Sequence, residues 1–187
     1  TLNFALRNTR DDSPVKDLEV VHDKVLHLIM VSQDLSWFAH EHPEVTKPGD
    51  LTLKGFTFPA AGNYVLYADF KPKDKKGEVI PVALRVEGKA PKAQPLKLDA
   101  PGRVKKQGDY GVALSHAPLL QSGESTKLAF AVTLKGKPVS DIEPFLGASG
   151  HLVGISEDTT KYIHAHPADH HHHAEAPGKS GHEGPER

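Results

Sequence analysis

Cysteine is absent from the chain, which removes disulfide staples, thiolate metal ligands and cysteine nucleophiles together. A charge excess of either sign is missing too: the formal net charge is -1, so no basic field exists to draw in nucleic acid or an anionic membrane. The longest apolar runs, such as Val25–Val31 (VLHLIMV), are strand-length, far short of a membrane span, and no membrane insertion is expected. No window carries a convincing helical period. There is no Gly-rich phosphate loop, no Ser-His-Asp order and no pair of carboxylates in a credible cleft, so the chain does not read as an enzyme. A signal peptide is not visible, yet the chain opens on Thr1 rather than Met, and a processed or cut start is expected.

Histidine, by contrast, is abundant. Of the 13, ten lie in one repeated motif or in the run His170–His173. Imidazole is the commonest metal ligand and titrates near neutrality, so clustering of this kind raises a metal hypothesis first. The repeat reads HLIMVSQDLSWFAHEHP at residues 27–43 and HLVGISEDTTKYIHAHP at residues 151–167. His27/His151, Ser32/Ser156, Asp34/Asp158, His40/His164, His42/His166 and Pro43/Pro167 correspond. Self-similarity at a long period indicates two related units.

Along the chain, short stretches such as TLNFAL (1–6), LTLKGFTF (51–58), YVLYADF (64–70), VIPVALRVEG (79–88), DYGVALSHAP (109–118) and KLAFAVTL (127–134) read as strands separated by Gly, Pro and Asp turns. This pattern predicts an all-β fold of two tandem β-sandwich units. The first spans residues 1–88. A Pro- and Lys-rich linker occupies 89–108, and the second unit with its polar tail occupies 109–187. Extending the alignment outward pairs Leu2/Leu128, Phe4/Phe130 and Pro14/Pro138. The first copy therefore lacks a counterpart of DYGVALSHAP, and the second stops where the first continues into LTLKGFTF, YVLYADF and VIPVALRV. Either the chain is a piece of a longer precursor, or strands are supplied by another chain, with self-association through exposed sheet edges.

Residues two apart on a strand share a face, so His40 and His42 point the same way, as do His164 and His166. If Ser32 faces Trp37 across a four-residue loop, His27 stands opposite His42 and Ile29 opposite His40, which gathers three imidazoles. The same register gathers His151, His164 and His166, whereas a one-residue slip would send His27 to the other face. Three neutral imidazoles with an open position suit copper, with zinc as the alternative. The bland reading is that these histidines merely end strands. Asp34 and Asp158 read as caps of the loop, Met30 as core packing, and His22 and His116 as isolated surface or edge residues. The run His170, His171, His172 and His173, with His182, reads as a looser metal-gathering segment, with an affinity tag or a solvated spacer as rivals.

The hairpins, the turn before the second one (GKPV, 136–139) and the run FTFPAAGNYVLYADF (56–70) resemble exported immunoglobulin- or cupredoxin-like β-sandwich domains of bacteria, often associated with copper and heavy-metal handling. The resemblance implies a periplasmic or secreted protein, with His27, His40, His42, His151, His164 and His166 as candidate copper ligands. It departs from blue-copper proteins, which require a cysteine thiolate. The expected function is metal binding, storage or delivery. The alternative is a structural or adhesive subunit completed by a neighbour's strands.

Overall fold

The computed structural model describes residues 1–100 and 102–167, and the tail histidines 170–173 and 182 lie outside the described residues. Among the described residues there is no helix, and the all-β expectation is met. In chain order the strands are β1 (Leu2–Ala5), β2 (Leu18–Glu19), β3 (Leu26–Ser32), β4 (Phe38–Glu41), β5 (Glu44–Lys47), β6 (Asp50–Leu53), β7 (Gly62–Pro72), β8 (Glu78–Val86), β9 (Val104–Gln107), β10 (Tyr110–Ser115), β11 (Ala129–Leu134), β12 (Lys137–Pro138), β13 (Leu152–Ile155) and β14 (Tyr162–Ala165).

The first unit is a sandwich of two antiparallel sheets. One has the order β1-β6-β5, and the other β2-β7-β3-β4 with β8 added on β7. Leu26, Leu28 and Met30 of β3 and Tyr64, Leu66, Ala68 and Phe70 of β7 point between the sheets, where they meet Leu6, Leu51 and Leu53. Full burial of each such aliphatic side chain contributes about 1.5–3 kcal/mol, so this layer dominates the stability of the unit. Met30 is wholly buried there, as core packing requires. Beside this layer, Trp37 packs against Phe56, Phe58 and Tyr64. Phe56 and Phe58 were expected to extend a strand, but β6 ends at Leu53, and the two rings serve this cluster instead. Phe38 is 52% exposed, because it falls on the outward parity of edge strand β4.

The other face of β3 and β7 is buried too. Ile29, Val31, Val65 and Tyr67 form a second core, closed by Val153, Ile155 and Tyr162 of the β13–β14 hairpin. Strands buried on both faces read as unbroken apolar runs rather than alternating ones, which accounts for VLHLIMV.

The second copy is described as far as Pro167. Its sheet has the order β12-β11-β10-β9, and β13–β14 form a separate hairpin. Strand β9 pairs with β10 and falls inside the stretch read as linker. Its signal was masked by Lys105, Lys106 and Gln107, polar residues on a strand exposed throughout. Elsewhere the linker is pinned to the first hairpin, where the backbone N–H of Gln94 donates to Asp34 Oδ2 at 2.9 Å.

Candidate metal centre

Each histidine triad begins with a tight turn. Val21 and Lys24 exchange backbone hydrogen bonds across His22 and Asp23, as do Phe145 and Ala148 across Leu146 and Gly147. The two central residues have positive φ in both copies, 48° and 64° in the first and 49° and 73° in the second, the hand that matches a two-residue hairpin. Left-handed backbone costs a non-glycine residue roughly 1–2 kcal/mol, so His22, Asp23 and Leu146 store strain that surrounding contacts must hold. What the turns deliver is a carbonyl. His27 Nε2 lies 2.9 Å from Val21 O, and His151 Nε2 lies 2.9 Å from Phe145 O. A carbonyl only accepts, so the proton of each neutral ring sits on Nε2 and Nδ1 is left bare.

The hairpin register is the one that groups the rings. Ile29 pairs with His40 and Val153 with His164, and the next step sets each opening histidine opposite the last one. Both loops close identically. Ser32 N–H donates to Trp37 O and Ser156 N–H to Lys161 O. Asp34 Oδ1 accepts from Ser32 Oγ and from the N–H and Oγ of Ser36. Asp158 Oδ1 accepts from Ser156 Oγ and from the N–H and Oγ of Thr160. The Gln94 N–H on Asp34 Oδ2 together with the Ser36 and Ser32 bonds, and at Asp158 the Ser156 and Thr160 bonds, hold both carboxyls well below the usual carboxylate range, and the two aspartates are caps, as expected. Pro43, buried, then ends the first ladder where the chain crosses to the other sheet as β5.

His27, His40 and His42 therefore converge, as do His151, His164 and His166. Within each triad one ring nitrogen per residue lies within 4.8 Å of the other two. His27 Nδ1 is 3.1 Å from His40 Nε2 and 3.2 Å from His42 Nε2. His151 Nδ1 is 3.4 Å from His164 Nε2 and 2.9 Å from His166 Nε2. Zinc–nitrogen bonds of 2.0–2.1 Å put the ligand atoms of a tetrahedral site about 3.3 Å apart, so the observed spacing is compatible with a ligand set as well as with hydrogen bonds between the rings. Burial, reinforced by the neighbouring rings, pushes His40, His42 and His166 down to about 4, which keeps them neutral at physiological pH. Burial lowers His27 as well, against the pull of its bond to Val21.

Asp69 was not foreseen. It lies across the ladder from His27 on β7, and its Oδ2 accepts from His164 Nδ1 at 3.0 Å and from the Tyr162 hydroxyl at 3.3 Å. Burial and this carboxylate push the Tyr162 phenol above its ordinary value. The aspartate also leaves His164 with a bare Nε2 when the ring is neutral. That nitrogen then faces the bare Nδ1 of His151 at 3.4 Å. His166 Nε2 reaches the same Nδ1 at 2.9 Å, so a proton on His166 or His164, or a metal ion, can be shared among the nitrogens gathered here. A carboxylate–histidine pair behind a ligand nitrogen is the usual outer shell of a metal site.

His22, expected to be isolated, is not. Its ring stacks on His166 with centroids 3.7 Å apart and meets His151 edge-on at 5.9 Å. The repeat could not reveal it, because its counterpart is Leu146. His116 does stand apart and exposed, its Nδ1 donating to Ala117 O.

The class these features define is an all-β protein with two three-histidine groups compatible with metal binding. A family model described as a domain of unknown function (DUF8832) matches residues 1–88 and 104–186, and the chain belongs to that family. No curated protein and no solved structure matches it.

Proposed function

We propose that this protein binds a first-row transition metal, copper with zinc as the alternative, through its two histidine triads, and serves in storage or delivery outside the cytoplasm. The observation that carries the reading is the convergence of one ring nitrogen from each of three histidines, twice over, with His27 and His151 oriented by Val21 O and Phe145 O and His164 by Asp69. Imidazole ligands without thiolate suit Cu(II) and Zn(II) and tolerate Cu(I). Binding rather than catalysis is favoured because, among the described residues, the carboxylate beside the triads, Asp69, is engaged by His164 and Tyr162.

The test is a titration of metal-free protein with Cu(II). His170, His171, His172 and His173 are replaced by asparagine so that the tail does not contribute. Two equivalents are expected, falling to none in the His40→Ala/His164→Ala variant at concentrations that saturate the parent. Unchanged stoichiometry in that variant ends the proposal.

A second reading, a structural subunit completed by a neighbour, draws on exposed apolar side chains along β10 and β11: Tyr110, Val112, Leu114, Phe130 and Leu134. It predicts concentration-dependent assembly by light scattering that survives chelator, and a strictly monomeric species counts against it.

A further inference from the structure

We infer that the two triads form one composite centre for a pair of metal ions, sited on a local two-fold axis between the hairpins. The sequence places one triad in each copy, which suggests two separate sites. The fold brings them together. His27 of the first triad lies 5.5 Å from His164 of the second, ring centre to ring centre, and His40 lies 6.1 Å from His151. These two contacts exchange under the repeat correspondence, while His40 meets its own counterpart His164 at 5.9 Å. A surface on which i touches j′ and j touches i′ is the signature of an isologous, two-fold contact, here within one chain. The apolar layer obeys the same rule. Ile29 and Val31 pack in one core with their equivalents Val153 and Ile155.

Spacing across the axis, 5.5–6.1 Å between ring centres, is only slightly wider than spacing within a triad, 4.6–5.7 Å. With metal–nitrogen bonds of about 2.0–2.1 Å, two ions bound this way are no more than about 12 Å apart across the His27–His164 pair. The docking that sets this distance is specific. Tyr67 stacks on Tyr162 at 4.9 Å and donates its hydroxyl to Thr159 O at 2.7 Å, and Asp69 of the first unit holds His164 of the second. A cavity of about 210 Å³ opens beside the pair, with His22, His27, Asp69, His164 and His166 in its wall. It has room for water or a small anion to complete either ion's coordination.

The inference rests on the triads being metal sites, and one experiment separates the two ideas. The chain with its four tail histidines replaced by asparagine is loaded with one and then two equivalents of Cu(II), and frozen-solution EPR is recorded at each step. A composite centre gives dipolar broadening and faster spin relaxation at two equivalents. Both vanish in a His151→Ala/His166→Ala variant, which binds one ion. Two bound equivalents whose spectrum is the sum of isolated Cu(II) signals would overturn the composite centre and leave the metal reading intact. Failure to bind copper at all overturns both.

Discussion

Replacing Asp69 by asparagine is expected to weaken the second triad and spare the first. Its carboxylate accepts from His164 Nδ1 at 3.0 Å, and the two side chains are only 23% and 8% exposed, so solvent screens the contact little. Removing an outer-shell partner of this kind costs about 10–100-fold in metal affinity, or about 1.4–2.7 kcal/mol. Asparagine keeps a carbonyl oxygen for the same N–H but loses the charge, which places the loss near the lower figure, about ten-fold. His27 makes no hydrogen bond to Asp69; its Nε2–H goes to Val21 O. The first triad should therefore hold its affinity to within about three-fold, the effect of one screened charge. The assay is a Zn(II) competition titration against a chromophoric chelator, on tail-substituted protein. It is run once with His40 and His42 changed to alanine and once with His164 and His166 changed to alanine. Equal losses at both triads, or none at the second, would refute the orienting role of this carboxylate.

Acid should destabilise the metal-free fold. His40, His42 and His166 sit at about 4, below the ordinary histidine value of 6.5, so between those limits the unfolded chain binds more protons than the folded one. Their contribution is complete above about pH 6.5 and is lost as pH falls toward 4. Urea melts at pH 7.5 and pH 5 should differ by about 2 kcal/mol or more after discounting for partial exposure, and a rise in stability on acidification would contradict the burial argument. Tyr67→Phe leaves the Thr159 carbonyl without its hydroxyl donor and should cost about 1 kcal/mol, a drop in Tm of about 2–4 °C. A Phe variant that melts with the parent would mean that this hydroxyl does not help hold the second hairpin.

Much of the centre was legible because strand parity and a duplicated H-x-H-P fix which rings share a face. The register itself stayed open in the sequence, and closure between Ser32 and Trp37 selects the one that pairs Ile29 with His40. What stayed hidden depends on contacts between the copies. Asp69 has no equivalent among the described residues of the second copy, and His22 is replaced there by Leu146. The turns that supply Val21 O and Phe145 O carry His-Asp and Leu-Gly rather than Asn-Gly, so their left-handed backbone gave little local signal. One clue was available: VLHLIMV has no polar alternation, which asks for cover on both sides of β3, and the second hairpin supplies the outer cover.

The two hairpins are unequal in how they are held. Strand β3 is clamped between β4 and β7 and roofed on both faces, whereas among the described residues β13 has β14 as its single ladder partner and none of its residues is fully buried. Amide protons of β13 and β14 should thus exchange through a low-energy local opening that leaves the sandwich intact. In that opened form the imidazoles of His151, His164 and His166 swing away together, so under the metal-binding proposal an ion held there would lose its ligands in one step, while His27, His40 and His42 stay in place on the sandwich.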